Sequence, residues 1–174
     1  FSATLSDIQK VLSAKAIALN LPIGAEESFS GVVDLLSGKA YKFENNLSGK
    51  FTVGETPANL KDQVKTARDK LVEAIAESDD ALLEKYLDGQ ELSAEDLANG
   101  LRKGILNRTI FPVLCGSGLR NMGVQPLLDA ITQLLPSPQD RGPAKGTHPV
   151  TKAEEARKPR EDEPFSAFVF KTIA

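Results

Sequence analysis

The hydrophobic period of this chain changes at Thr56, and that change limits what it can fold into. Before Thr56, apolar residues come in short runs broken by turn residues. Gly31–Leu36 and Lys39–Phe43 flank Ser37-Gly38, with Tyr41 and Phe43 on one face, the pattern of a β-hairpin. The preceding run AKAIALNLPIG is extended and closes at Pro22 and Gly24, and GKFTVGE offers a further short strand. After Thr56 the spacing is helical: Leu60, Val64, Ala67, Leu71 and Ile75 keep one face to about Glu77. Thr56 is expected to cap this helix, with Pro57 at its first position. A second helix is expected over Asp80–Leu87, with Gly89 in the left-handed position that ends it. Ser93 and Asp96 have capping-box spacing and open a third helix carrying Leu97 and Leu101. Near the start, Leu5, Ile8, Val11 and Leu12 predict a helix over Thr4–Ser13. Small antiparallel sheet and helices together read as an α/β chain of the α+β kind.

The stretch TIFPVLCGSGLRNMGV has a different organisation. A compact apolar run, Ile110–Leu114, passes into Cys115, then a Gly-Ser-Gly elbow. A helical stripe of Val124, Leu127, Leu128, Ile131, Leu134 and Leu135 follows. Strand–elbow–helix junctions are where open α/β sheets place ligands. The elbow could present consecutive backbone N–H groups to a purine carbonyl, with glycine allowing close approach; it could equally be a plain turn. Cys115 as a nucleophile would need a base within hydrogen-bond reach, usually histidine. The single histidine, His148, lies beyond the next helix in a Pro/Gly-flanked segment and reads as a loop residue. Cys115 is therefore expected to be a small apolar residue at the end of a buried strand.

Composition narrows the classes further. Net charge is −3, from 21 basic and 24 acidic residues, which disfavours broad non-specific nucleic-acid binding. One cysteine and one histidine exclude an internal disulfide and any multi-Cys or multi-His metal site, and suit a reducing compartment. No run approaches the roughly 20 apolar residues of a membrane span, and no basic-then-apolar leader is present. Gly38-Lys39 and Gly49-Lys50 lack the partner glycine and the following Ser/Thr of a P-loop, so both read as turns. Between Glu77 and Asp96 lie eight acids and one base, either a solvated helical face or a docking surface for a basic partner. LPSPQDRGPAKG reads as the start of a linker, and Thr151–Glu163 as a solvated charged stretch. EPFSAFVFKTIA alternates like a strand and stops with the chain. A lone strand buries nothing, so it is expected to belong to a following domain. With Phe1 in place of Met, the chain reads as an excised piece.

Three long stretches, in order, resemble bacterial elongation factor G. LNLPIGAEESFSGVVDLLSGKAYKF is similar to the family's corresponding region, PVLCGSGLRNMGVQPLLDAITQLLPSP to the segment with its fifth guanine-nucleotide motif, and EPFSAFVFKTIA to the start of its second domain. The resemblance implies a partial P-loop GTPase G domain with an inserted small-sheet-plus-helices subdomain. Residues 1–20 would be a G-domain helix and strand, 21–108 the insertion, 109–136 the last strand and helix, 137–163 a linker and 164–174 the second domain's first strand. The P-loop, switch regions and Asn-Lys-x-Asp motif would lie upstream. The family's Ser-Ala motif carries over to Ser117-Gly118, making Ser117, Gly118 and Leu119 the candidate guanine-binding residues. Glycine in place of alanine keeps the backbone donor but loosens the loop, at up to about 1 kcal/mol. The implied whole protein is a cytoplasmic, ribosome-dependent GTPase that uses GTP/GDP with magnesium and couples hydrolysis to tRNA–mRNA translocation. This chain alone is expected to be inactive, with no catalytic residue, metal ligand or cofactor of its own and no membrane partner. The resemblance also implies contact between the inserted subdomain and the ribosomal stalk protein. The alternative is a non-enzymatic module that docks a basic ribosomal partner through the acidic helices.

Overall fold

In a computed structural model, residues 1–12, 15–167 and 169–172 are described. The chain divides into two compact units, Phe1–Leu135 and Pro136–Ala174.

The first unit mixes helix and sheet. Helix α1 (Ser2–Leu12) leads to strand β1 (Ala16–Ala18). Strands β2 (Asn20–Ile23), β3 (Gly31–Asp34), β4 (Lys39–Phe43) and β5 (Phe51–Glu55) then form an antiparallel four-stranded sheet in that order. Helices α2 (Lys61–Ala76), α3 (Asp80–Leu87) and α4 (Ala94–Leu106) follow, then strand β6 (Phe111–Val113) and helix α5 (Val124–Leu134). β6 returns beside β1 in parallel, with Ala18 opposite Val113. Everything from β2 to α4 thus lies between two neighbouring strands.

β3 is covered on both sides, which is why the adjacent Val32 and Val33 are both buried instead of alternating, while β5 at the edge is exposed along its length. Val33, Leu35 and Ala40 join the main core with Val64, Leu71 and Ile75 of α2 and Leu97 and Leu101 of α4. Val32 and Phe43 point the other way and pack on Met122, with Tyr41 beside them. The expected pairing of Tyr41 and Phe43 on one face is present, and Phe51 meets Tyr41 edge-on and Phe43 at a tilt, with ring centroids 5.3 and 5.2 Å away. At roughly 1.5–3 kcal/mol for each fully buried large aliphatic side chain, the main core dominates the stability of this unit.

The helices follow their expected stripes, and α3 has the predicted bounds. Ser93 and Asp96 form the capping box of α4, and Gly89 is left-handed at φ 73. The start of α2 differs from expectation. A 3₁₀ turn, Ala58–Leu60, precedes it, and Thr56 caps nothing. Its hydroxyl instead donates to the Gly38 carbonyl (2.8 Å), bracing the β3–β4 turn. Arg68 of α2 holds the same turn through the Leu35 and Leu36 carbonyls.

The α5 stripe forms but is not buried: Leu127, Leu128, Ile131 and Leu135 are 42–55% exposed. A two-stranded β1–β6 ribbon is too narrow to cover a helix face.

The second unit corrects two expectations. The linker and charged stretch contain a hairpin, β7 (Ala144–Thr147) paired antiparallel with β8 (Glu154–Arg157). His148 sits in its turn, where Nδ1 accepts from the Val150 and Thr151 amides (3.2 and 3.1 Å). The strand expected in EPFSAFVFKTIA is not formed by its described residues, and Phe165, Val169 and Phe170 are exposed. Among the described residues nothing pairs with it, and an unpaired strand has no ladder to stabilise it. Phe168, Ile173 and Ala174 of that stretch lie outside the described residues.

Candidate functional site

The elbow begins where two sheets part company. β1 follows β6 as far as Leu19, whose amide donates to the Val113 carbonyl (2.9 Å). At Asn20 the backbone turns away to pair with Asp34 of β3. The Asn20 side chain continues toward β6: Oδ1 accepts from the Cys115 amide (2.8 Å), and Nδ2 donates to the Cys115 carbonyl (3.3 Å). Asn20 is 2% exposed, the one polar side chain in the buried class among the described residues.

Past Cys115 the chain doubles back on itself. The Ser117 amide donates to the Met122 carbonyl (2.8 Å) and the Met122 amide to the Ser117 carbonyl (3.0 Å). The Asn121 amide closes the turn onto the Gly118 carbonyl (3.2 Å). Asn121 (φ 51) and Gly123 (φ 80) supply the left-handed backbone that this reversal needs. Met122, 2% exposed, is the apolar peg that seats the elbow on the sheet.

Side chains then fasten the elbow to the loops of the four-stranded sheet. Arg120 donates to the carbonyls of Phe29 (3.0 Å), Glu27 (3.0 Å) and Glu26 (3.4 Å). Asn121 Nδ2 donates to the Leu47 carbonyl (3.1 Å). Residues 120–121 are part of the GSGLRNMG stretch, and here their role is structural.

Of the three residues singled out from sequence, Ser117 is set apart by its engaged amide, and its Oγ accepts from the Arg120 amide (3.3 Å). The Gly118 and Leu119 amides find no acceptor among the described residues. Both residues are exposed, Leu119 to 93%, so they form an open wall and not a cavity. Two adjacent free N–H groups at the C-terminal end of a parallel strand can receive a carbonyl oxygen or other acceptor from a ligand.

The thiol contributes no nucleophile. Burial pushes Cys115 up to about 11, so it is protonated near neutrality. Its Sγ donates to Asn20 Oδ1 (3.2 Å), and the first unit contains no histidine. Among the described residues no three His, Cys, Asp or Glu side chains gather to hold a metal ion, and no helix is long and apolar enough to cross a membrane.

The acidic run is partly consumed internally. Asp79 caps α3 and pairs with Lys103, Asp96 caps α4 and pairs with Lys85, and Glu77 pairs with Lys15. The Lys103 hydrogen bond, helped by the Leu82 and Ala81 amides, holds the Asp79 carboxyl below its usual range; the Ser93 hydroxyl and then Lys85 do the same for Asp96. Asp80, Glu84, Asp88, Glu91 and Glu95 remain on the surface beside exposed Tyr86 and Leu87.

Sequence reasoning missed Asn20, Arg120 and Asn121. The signal for Asn20 was available: a single amide inside the apolar run AIALNLPI. Arg120 and Asn121 bond to carbonyls 74–94 residues away, which no local pattern announces.

No family model matches the chain. Over 175 aligned residues it is 44% identical to Elongation factor G of Aquifex pyrophilus, an alignment that takes in all of this chain and 25% of that protein. A crystal structure from Thermus thermophilus superposes with a TM-score of 0.72 at 32% identity, over 89% of this chain and 24% of that one. The chain therefore spans about a quarter of the length of the proteins it matches.

Proposed function

We propose a function from the premise that this chain belongs to the elongation factor G family, since its own whole length aligns with a quarter of one member. The whole protein is a ribosome-dependent GTPase that couples GTP hydrolysis to movement of tRNA and mRNA. Residues 1–20 and 109–136 belong to its nucleotide-binding domain, 21–108 to a subdomain inserted in it, 137–163 to a connector and 164–174 to the next domain. The observation that carries this reading is the 44% identity along the entire chain. The elbow supports it: the Gly118 and Leu119 amides are exposed and without an acceptor among the described residues, and on this reading they receive a guanine carbonyl, while Ser117 shapes the turn.

This chain's residues contribute recognition and not bond cleavage. Catalysis of phosphoryl transfer is mostly positioning and charge stabilisation, and magnesium with the triphosphate supplies that chemistry in the bound protein. The 174 residues contain no P-loop sequence to cradle phosphates. The full-length protein is expected to hydrolyse GTP in a ribosome-stimulated manner, while this chain assayed alone does not. Ribosome-stimulated hydrolysis by the chain above a buffer control would contradict the assignment, as would its absence from the full-length protein.

A second reading concerns partners, and Tyr86 and Leu87 exposed among unpaired acids favour it. The α3–α4 face docks a basic ribosomal partner, the stalk protein being the candidate. Charge of this kind raises association rates and weakens with salt. Titration with stalk protein at low and high salt tests it; binding that ignores salt, or no binding, counts against it. A cytoplasmic setting follows from the same family reading.

A further inference from the structure

We infer that Asn20 is a positioning residue for nucleotide-base recognition, holding the elbow so that the Gly118 and Leu119 amides meet the base. The inference rests on the reading that the elbow takes a purine carbonyl. It goes beyond that reading by naming a residue outside the elbow.

The argument starts from the register of the two sheets. Continuing the β1–β6 pairing past Ala18–Val113 would set Asn20 opposite Cys115. The backbone of residue 20 does not continue along β6, because it has turned to run beside β3, opposite Asp34. The carboxamide of Asn20 takes its place, with a donor and an acceptor in the same sense as a peptide group, and satisfies both the N–H and the C=O of Cys115. A buried peptide group without such a partner is costly, so the strand end is pinned at the last residue before the elbow departs. Cys115 lies two residues before Ser117, whose paired amide and carbonyl close the loop.

The geometry also explains why the residue is asparagine. An aliphatic residue would fill the space but leave both Cys115 groups unpaired. A carboxylate would lack the donor for the carbonyl and would bury a charge beside a protonated thiol. Asn20 touches no ligand in this arrangement. It acts through Cys115 on the two amides that do.

The test uses the full-length protein and two probes, guanosine diphosphate and the diphosphate of 2-aminopurine riboside. The second has the same ring system without the oxygen at C6. The parent protein should prefer guanosine diphosphate. Asn20→Leu should lose about tenfold in affinity for it, the worth of one displaced hydrogen bond at the upper end of the usual range. Affinity for the 2-aminopurine analogue should hold. Asn20→Ser, smaller and easier to accommodate, should lose affinity in the same selective pattern and covers the case in which Asn20→Leu does not fold. A parental preference that survives both substitutions would overturn the inference, as would an equal loss for both probes, which marks general loosening of the fold. Absence of any parental preference would instead overturn the underlying reading that the elbow receives the carbonyl, and the inference with it.

Discussion

Cys115 and Gly118 stand three residues apart and are decided by different physics. Burial holds the proton on Cys115, so its folded value of about 11 lies above the ordinary 9.0. A raised value means the folded state keeps its proton longer than the unfolded chain. The stabilising contribution is complete below about pH 9 and is lost as pH rises through about 11. Alkylation of the folded chain at pH 8 should therefore be slow, quicken only toward pH 11, and become fast at pH 8 once the chain is unfolded in urea. Fast labelling of the folded chain at pH 8 would show a thiol that is neither buried nor held by Asn20. At Gly118 an added Cβ meets nothing within 4 Å, and the φ is not left-handed. Gly118→Ala should keep the amide and be neutral to about 1 kcal/mol stabilising. Gly123→Ala should cost about 1–2 kcal/mol, because φ is +80 and the new Cβ would sit 3.1 Å from the Cys115 carbonyl oxygen. Urea midpoints of the two variants check the contrast. The elbow was legible as an elbow from GSG alone. Which of its amides is free was not, because Ser117 is taken by Met122, a pairing no local spacing reveals.

At the scale of elements, periodicity and capping chemistry were legible because they are local. The α2 stripe, the bounds of α3 and the Ser93–Asp96 box are each written within one or two turns of chain. Thr56 misled for the opposite reason: a cap signal was present, and a tertiary acceptor, the Gly38 carbonyl, outcompeted it. The α4 helix carries a further long-range constraint. A Cβ on Gly100 would come within 2.5 Å of Leu82 and 2.7 Å of Ile75, so α4 lies close against α2 and α3. Gly100→Ala raises helix propensity by about 1 kcal/mol, yet overpacking at such a contact costs roughly 1–3 kcal/mol. The net expectation is a lower thermal midpoint, and a raised one would show that the helices can separate freely. Asp79 ties the same region through its cap and Lys103. Its carboxyl is held below 3.8, so its contribution is complete above that pH and disappears as pH falls through the lower folded value. The stability difference between the parent and Asp79→Ala should be full at pH 6 and close below about pH 3.8; a difference independent of pH would point to a role other than charge.

For the molecule as a whole, the parts that sequence misjudged are those whose neighbours decide them. The α5 stripe was legible as amphipathic, but burial needs a surface to receive it, and four of its apolar residues stay 42–55% exposed. Such a patch binds apolar dyes; Leu128→Gln with Ile131→Gln should lower dye binding by this chain without lowering its melting midpoint. The β7–β8 hairpin escaped notice because EEAR and AKGT carry charge where a packed strand would carry apolar residues. The central claim, that Gly118 and Leu119 face a guanine in the full-length protein, is open to one direct measurement. Amide hydrogen exchange at these two residues should slow on adding guanosine diphosphate and stay unchanged with adenosine diphosphate, while the already bonded Ser117 amide changes little. Exchange at Gly118 and Leu119 that is indifferent to guanosine diphosphate at saturating concentration would contradict it.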